Sequence, residues 1–125
     1  MTVRITIGGR GGDDMIIGGS GSDILSGDAG ADTLDGGAGN DYLTGGANAD
    51  TFRFSDGWGA DRINDFDEFL AGEVIDLRNI TGLDDFSQLA ITQSGANAVI
   101  AFGGNTITVV DTLIANLNIG NVLVA

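Results

Sequence analysis

The stretch GGAGNDYLTGGANAD, residues 36–50, carries nearly the same nine letters twice, with an aspartate at the same offset in each copy. Extended in both directions, a period of nine runs without a slip from Gly9 to Arg53. Glycine opens each unit at Gly9, Gly18, Gly27, Gly36 and Gly45, and fills the fourth position at Gly12, Gly21, Gly30 and Gly39. Asn48 takes the last fourth position; asparagine tolerates positive φ better than most residues, so this exception still fits a left-handed turn. The sixth position is always aspartate, at Asp14, Asp23, Asp32, Asp41 and Asp50. The eighth is always apolar, at Ile16, Leu25, Leu34, Leu43 and Phe52. After a two-residue insertion the pattern recurs once, with Gly57, Gly59, Asp61 and Ile63.

A flexible glycine linker needs neither the fixed aspartate nor the apolar eighth position. Each unit reads instead as a six-residue turn and a three-residue strand, with the eighth side chain directed inward and its neighbours outward. Short strands joined by tight glycine turns predict a parallel solenoid. Two units, 18 residues, complete one coil, so the aspartates stack in two rows. Asp14, Asp32 and Asp50 fall on one edge; Asp23 and Asp41, followed by Asp61, fall on the other. Carboxylates stacked about 4.8 Å apart repel one another unless cations lie between them. Calcium takes six to eight oxygen ligands and accepts backbone carbonyls, which glycine turns expose. Zinc would favour histidine or cysteine, and the chain has neither. The residues therefore point to calcium.

Composition agrees. The 125 residues hold 18 acids against 5 arginines and no lysine, a formal charge of −13. Such a chain offers no basic surface for nucleic acid. With no cysteine, disulfides are excluded. The opening MTVRITIGG lacks the apolar core of a signal peptide, so an export address must lie elsewhere. No apolar run approaches the roughly 20 residues of a membrane-spanning helix. Without histidine there is neither a Ser-His-Asp triad nor an HExxH zinc site, and no enzyme is expected. An EF-hand at Asp65 fails, because Phe69 and Leu70 occupy the places of a ligand and the turn glycine.

The repeat matches GGxGxDxUx, with U a large apolar residue, and the chain resembles the RTX (repeats-in-toxin) family. TFRFSDGWGADRINDFD, residues 51–67, and GEVIDLRNI, from Gly72, are similar to the segments that close the roll in serralysin-type proteases and related modules. NTITVVDTLIANLNIGNVLVA resembles the C-terminal tails of proteins exported by type I secretion. The resemblance implies an all-β fold: a right-handed parallel β-roll of two nonapeptide repeats per coil over residues 1–64. A β-rich C-terminal cap carrying the secretion signal covers residues 65–125. It also implies a secreted, extracellular protein, with the type I secretion machinery as a partner and three to five calcium ions.

The family's ligand pattern pairs the second and fourth carbonyls and the aspartate of one turn with the first and third carbonyls and the aspartate two turns on. Carried over, one site uses Gly19, Gly21 and Asp23 with Gly36, Ala38 and Asp41. A second uses Arg10, Gly12 and Asp14 with Gly27, Ala29 and Asp32. A third uses Asp28, Gly30 and Asp32 with Gly45, Ala47 and Asp50. A fourth joins Gly37, Gly39 and Asp41 to Asp61 across the insertion. Asp65 and Glu73 are candidates to complete a site at the roll's end. The side chains of Asp13 and Asp28 lie outside the motif and are expected to be solvent-facing charge.

The rival function is a polysaccharide-binding module. RTX modules of alginate-modifying epimerases are similar in length, and Arg53, Arg62, Tyr42 and Trp58 would be the contacts. For Trp58 the competing expectation is packing at the roll's end. Beyond Asp65 the period is lost, and composition predicts strands at Val74–Leu77, Leu89–Thr92, Ala98–Phe102 and Thr106–Val110. Short helical turns are expected around Glu68–Ala71 and Leu113–Leu117. This apolar section would cover the open end of the solenoid, where an uncovered coil exposes core and strand edges.

Overall fold

The computed structural model describes residues 6–8, 10–67 and 69–124. Tight turns leave each unit three residues of extended chain: β1 (Thr6–Gly8), β2 (Met15–Ile17), β3 (Ile24–Ser26), β4 (Thr33–Asp35) and β5 (Tyr42–Thr44). The longer β6 (Thr51–Ser55) and β7 (Ala60–Ile63) end the repeat half. There follow β8 (Val74–Asn79), β9 (Ala90–Ser94), β10 (Asn97–Phe102), β11 (Asn105–Val109) and β12 (Val122–Leu123).

Successive strands of the repeat fall in different sheets. One sheet has seven strands in the order β1-β3-β5-β7-β11-β10-β9; the other has five, β12-β8-β6-β4-β2. Within the repeat half the pairing is parallel, with Leu25 opposite Leu43 and Ile16 opposite Leu34, a step of two units. The insertion lengthens one coil, so that Leu43 lies opposite Ile63. This is the expected β-roll. In β2 to β5 only the middle residue is buried, which is the eighth position of the repeat. Leu25, Leu34, Leu43, Phe52 and Ile63 are fully enclosed between the sheets. Full burial of such a side chain is worth about 1.5–3 kcal/mol, and the repeat supplies one per strand.

The C-terminal half continues both sheets. β8 pairs with β6 and β12 with β8, all parallel, while β11 pairs in parallel with β7. The antiparallel strands β10 and β9 then extend the longer sheet to its edge. Gly103 and Gly104 both have positive φ, 59° and 85°, as a two-residue type I′ hairpin between β10 and β11 requires. The four predicted strands match β8 to β11 within one or two residues. A 3-10 turn at Ile114–Asn116 sits where a helical turn was expected. Around 68–71 the chain instead forms two successive turns, Leu70 N–H to Asp67 O and Glu73 N–H to Leu70 O, with Glu68 outside the described residues. A further 3-10 turn, Phe86–Gln88, is held by a capping box between Asp85 and Gln88.

Candidate metal centre

The sixth-position aspartates form two hydrogen-bonded ladders. On one edge Asp14 N–H donates to Asp32 Oδ1 at 2.7 Å and Asp32 N–H to Asp50 Oδ1 at 2.9 Å. On the other, Asp23 N–H donates to Asp41 Oδ1 and Asp41 N–H to Asp61 Oδ1, both at 2.8 Å. Each bond spans one coil, so the ladders bring together the aspartate pairs expected for all four sites. Asp23, Asp32, Asp41, Asp50 and Asp61 are at most 3% exposed. Oδ1 of the later aspartate in each pair thus fixes the rung. The other is left over: Oδ2 of Asp14, Asp32, Asp41, Asp50 and Asp61 is buried and accepts no hydrogen bond among the described residues. A buried anionic oxygen without a partner is costly, and a cation is its natural complement.

The first-position glycines shape the space around these oxygens. A Cβ on Gly27 would lie 2.5 Å from Asp32 Oδ2 and 2.6 Å from the Gly45 carbonyl. One on Gly18 would meet Asp23 Oδ2 at 2.5 Å and the Gly36 carbonyl at 2.9 Å. In Gly36 and Gly45 the same Cβ would overlap Asp41 Oδ2 and Asp50 Oδ2. The aspartate's outer oxygen and the first carbonyl of the following coil therefore border the same space, as the expected ligand sets require. Gly18, Gly27, Gly36 and Gly45 are glycine to leave that cradle open, since none of them has positive φ. Left-handed backbone belongs to the second and fourth positions: Arg10, Gly12, Gly19, Gly21, Asp28, Gly30, Gly37, Gly39, Gly46 and Asn48.

Carbonyls of Gly12, Gly19, Gly21, Asp28 and Gly39 face the coil that follows, so closely that a Cβ on Gly30, Gly37, Gly39, Gly46 or Gly59 would overlap them. The Arg10 and Asp28 carbonyls also accept N–H from Ala29 and Ala47, each at 3.0 Å. Ala29, Ala38 and Ala47 occupy exposed turn tips. Among the described residues, no group of three or more acidic side chains gathers around one point. An ion held here must take many of its ligands from backbone carbonyls, which suits calcium.

Burial is the main force on proton affinity at Asp41, Asp50 and Asp61. It pushes Asp41 and Asp50 up to about 6 and Asp61 up to about 8, against the backbone N–H that each accepts. Neighbouring carboxylates push in the same direction. Asp61 is the extreme because β11 lies over it with Ile107 directly opposite, so its ladder ends against an apolar strand.

Several further side chains named from the sequence have defined partners. Asp13 and Asp28 are exposed, yet neither is simple solvent-facing charge. Asp13 Oδ1 accepts Ala31 N–H at 2.8 Å, and Asp28 Oδ2 accepts Arg10 N–H at 2.9 Å, each one coil away. Asp65 binds the Gly45 and Gly46 N–H groups, both at 2.8 Å, and so braces a turn. Glu73 takes the next rung after Asp50, whose N–H donates to Oε1 at 3.3 Å, although 23 residues separate them. Trp58 packs inside: it is 2% exposed, its Nε1 donates to Thr106 O at 3.0 Å, and its ring meets Phe54 edge-on at 5.8 Å. Arg53 is paired with Asp35. Of the four residues considered for a polysaccharide, Trp58 is thus removed from the surface and Arg53 is engaged.

Residues 7–43 and 17–52 match the model of the RTX calcium-binding nonapeptide repeat. No curated protein matches the chain by sequence. Among solved structures, the chain is similar to the AlgE6R3 subunit of the Azotobacter vinelandii mannuronan C5-epimerase. The identity is 31% over 99% of this chain and 80% of that one, with a TM-score of 0.74. The AlgE6R2 subunit of that enzyme is 31% identical over 98% and 93%, with a TM-score of 0.65. Extracellular lipase LipA of Serratia marcescens is 28% identical over 96% of this chain and 21% of the lipase, with a TM-score of 0.61. Repeat, roll and relatives agree, and the chain belongs to the RTX calcium-binding nonapeptide-repeat family.

Proposed function

We propose that the chain is a non-catalytic module that folds outside the cell when calcium fills the two aspartate ladders. There it supports type I secretion and extracellular stability of a parent protein. The observation that carries this reading is the file of buried Oδ2 atoms of Asp14, Asp32, Asp41, Asp50 and Asp61, which accept no hydrogen bond among the described residues. Four sites follow from the ladder pairs Asp14–Asp32, Asp23–Asp41, Asp32–Asp50 and Asp41–Asp61. The ligands are those two carboxylates and the carbonyls of the turns that carry them. When bound, the ions supply positive charge between rungs that otherwise repel. At calcium ten- to a hundredfold above Kd, each site adds about 1.4–2.7 kcal/mol, and four add about 6–11 kcal/mol, comparable with the whole stability of a domain.

In calcium-poor cytosol the repeat half would then stay unfolded and able to thread a secretion channel, and folding outside would oppose its return. Extracellular placement is supported by the family and by the similar extracellular lipase. Circular dichroism during a calcium titration, reversed with chelator, tests the switch. A gain of β signal with calcium and its loss with chelator is expected; a β-rich spectrum indifferent to both would remove it.

A further inference from the structure

The two sheets end differently. The seven-stranded sheet ends at β9, where Gln93 donates to Thr112 O at 3.1 Å and accepts Ile114 N–H at 2.9 Å. These bonds fasten the 3-10 turn Ile114–Asn116 beside that edge. The five-stranded sheet ends at β12, which is two residues long and pairs only with β8 among the described residues. Its flanks are apolar. The loops leading into β8 and β12 meet at one end of the edge, with Phe69 80% and Leu70 38% exposed there. Toward the other end a groove of about 420 Å³ is lined by Phe86, Ile119, Leu123 and Val124, with the charged Arg78 and Asp84. Ile119 is 77% exposed. A short strand edge with exposed apolar flanks is a template for a further strand.

Every copy of the chain carries both the protruding Phe69 and the groove, on one edge. In antiparallel pairing the start of one strand lies against the end of the other. A two-fold axis through a β12 pair therefore turns Phe69 of each copy toward the groove of the other, and the same apolar contact forms twice. A second copy satisfies both features at once, whereas an unrelated strand would fill the groove and leave Phe69 exposed. We propose that the folded chain dimerises through β12, joining two five-stranded sheets edge to edge and seating each Phe69 in the other copy's groove. Charge sets the condition. Each copy carries −13, and four doubly charged ions, +8 together, bring it to −5, so the pair should form in calcium. The calcium reading enters only through this condition, because the dimer is judged on folded chain.

Light scattering in calcium, on chain shown to be β-rich by circular dichroism, should give twice the chain mass at high concentration and one chain mass on dilution. Phe69→Asp and Ile119→Asp, both at exposed positions, should keep the β spectrum and weaken association about tenfold or more. Met15→Asp is the matched control: Met15 is 56% exposed on β2, at the opposite edge of the same sheet, and the dimer should stay intact. A folded chain that is monomeric up to its solubility limit overturns the proposal and leaves the edge to a different partner. Association unmoved by the Phe69 and Ile119 variants overturns it too. Growth beyond two copies, weakened by Met15→Asp, would mean head-to-tail stacking of β2 on β12 and overturns the two-fold pair. A dimer that persists, folded, in chelator supports this interface and counts against the calcium switch instead.

Discussion

Asp32 is the residue on which the calcium argument can be pressed hardest, because it belongs to two ladder pairs. Its Oδ1 accepts Asp14 N–H, and its Oδ2 and the Gly45 carbonyl both border the space that a Cβ on Gly27 would fill. In Asp32→Asn the amide oxygen can keep the first contact, while an NH2 group replaces Oδ2. The charge is lost and the shape is kept. With calcium at ten- to a hundredfold above Kd, loss of two sites should cost about 3–5 kcal/mol. For a chain of this length that lowers Tm by about 10–20 °C. In chelator the sign should reverse or vanish, since the substitution removes a buried anionic oxygen that has no hydrogen-bond partner among the described residues. Asp13→Asn is the control: its exposed side chain contributes one acceptor, to Ala31 N–H, which asparagine retains. Thermal melts of both variants in calcium and in chelator, with calcium titrations by circular dichroism, give the comparison. An Asp32→Asn variant no less stable in calcium than Asp13→Asn would refute the role given to the ladders.

Three other outcomes follow from the same geometry. Burial raises Asp61 to about 8 and Asp41 and Asp50 to about 6, so the ion-free fold binds protons that the unfolded chain releases. The stability these three contribute should be full below the ordinary 3.8 and be lost as pH rises through about 6 to 8. Circular dichroism in chelator should show more β structure at pH 4.5 than at pH 8.5, and the calcium midpoint should rise as pH falls. Gly27→Ala would place a methyl 2.5 Å from Asp32 Oδ2 and 2.6 Å from Gly45 O, weakening calcium binding as well as costing about 1–3 kcal/mol of strain. Gly19→Ala meets nothing within 4 Å and pays only for φ of 88°, so calorimetry should find its calcium affinity lowered less than that of Gly27→Ala. Leu34→Ala empties a fully buried position between the sheets and should lower stability by about 2–5 kcal/mol in calcium, measured by urea unfolding.

The roll was legible in the sequence because its information is local and repeated. Nine letters specify one turn and one strand, and repetition makes the inward position, the acidic row and the two-unit coil visible without any distant contact. That is why Leu25, Leu34 and Leu43 could be placed in the core, and Asp14, Asp32 and Asp50 on one edge, from spacing alone. Calcium followed from oxygen-only chemistry at stacking distance.

What spacing could not reveal depends on partners one coil or more away. Asp13 and Asp28 read as stray surface charges because Ala31 and Arg10, whose N–H groups they accept, are 18 residues distant. Opening glycines looked like turn formers, but their need is for room beside an aspartate oxygen, which appears only when the backbone is folded around it. Trp58 could have faced a ligand or the core until β11 arrived to accept its Nε1–H. Glu73 lies outside the period altogether; only the pairing of β8 with β6 sets it on the rung after Asp50. A periodic pattern determines its own neighbourhood, whereas the aperiodic cap acquires register solely through long-range strand pairing, and that pairing exists only in the folded chain.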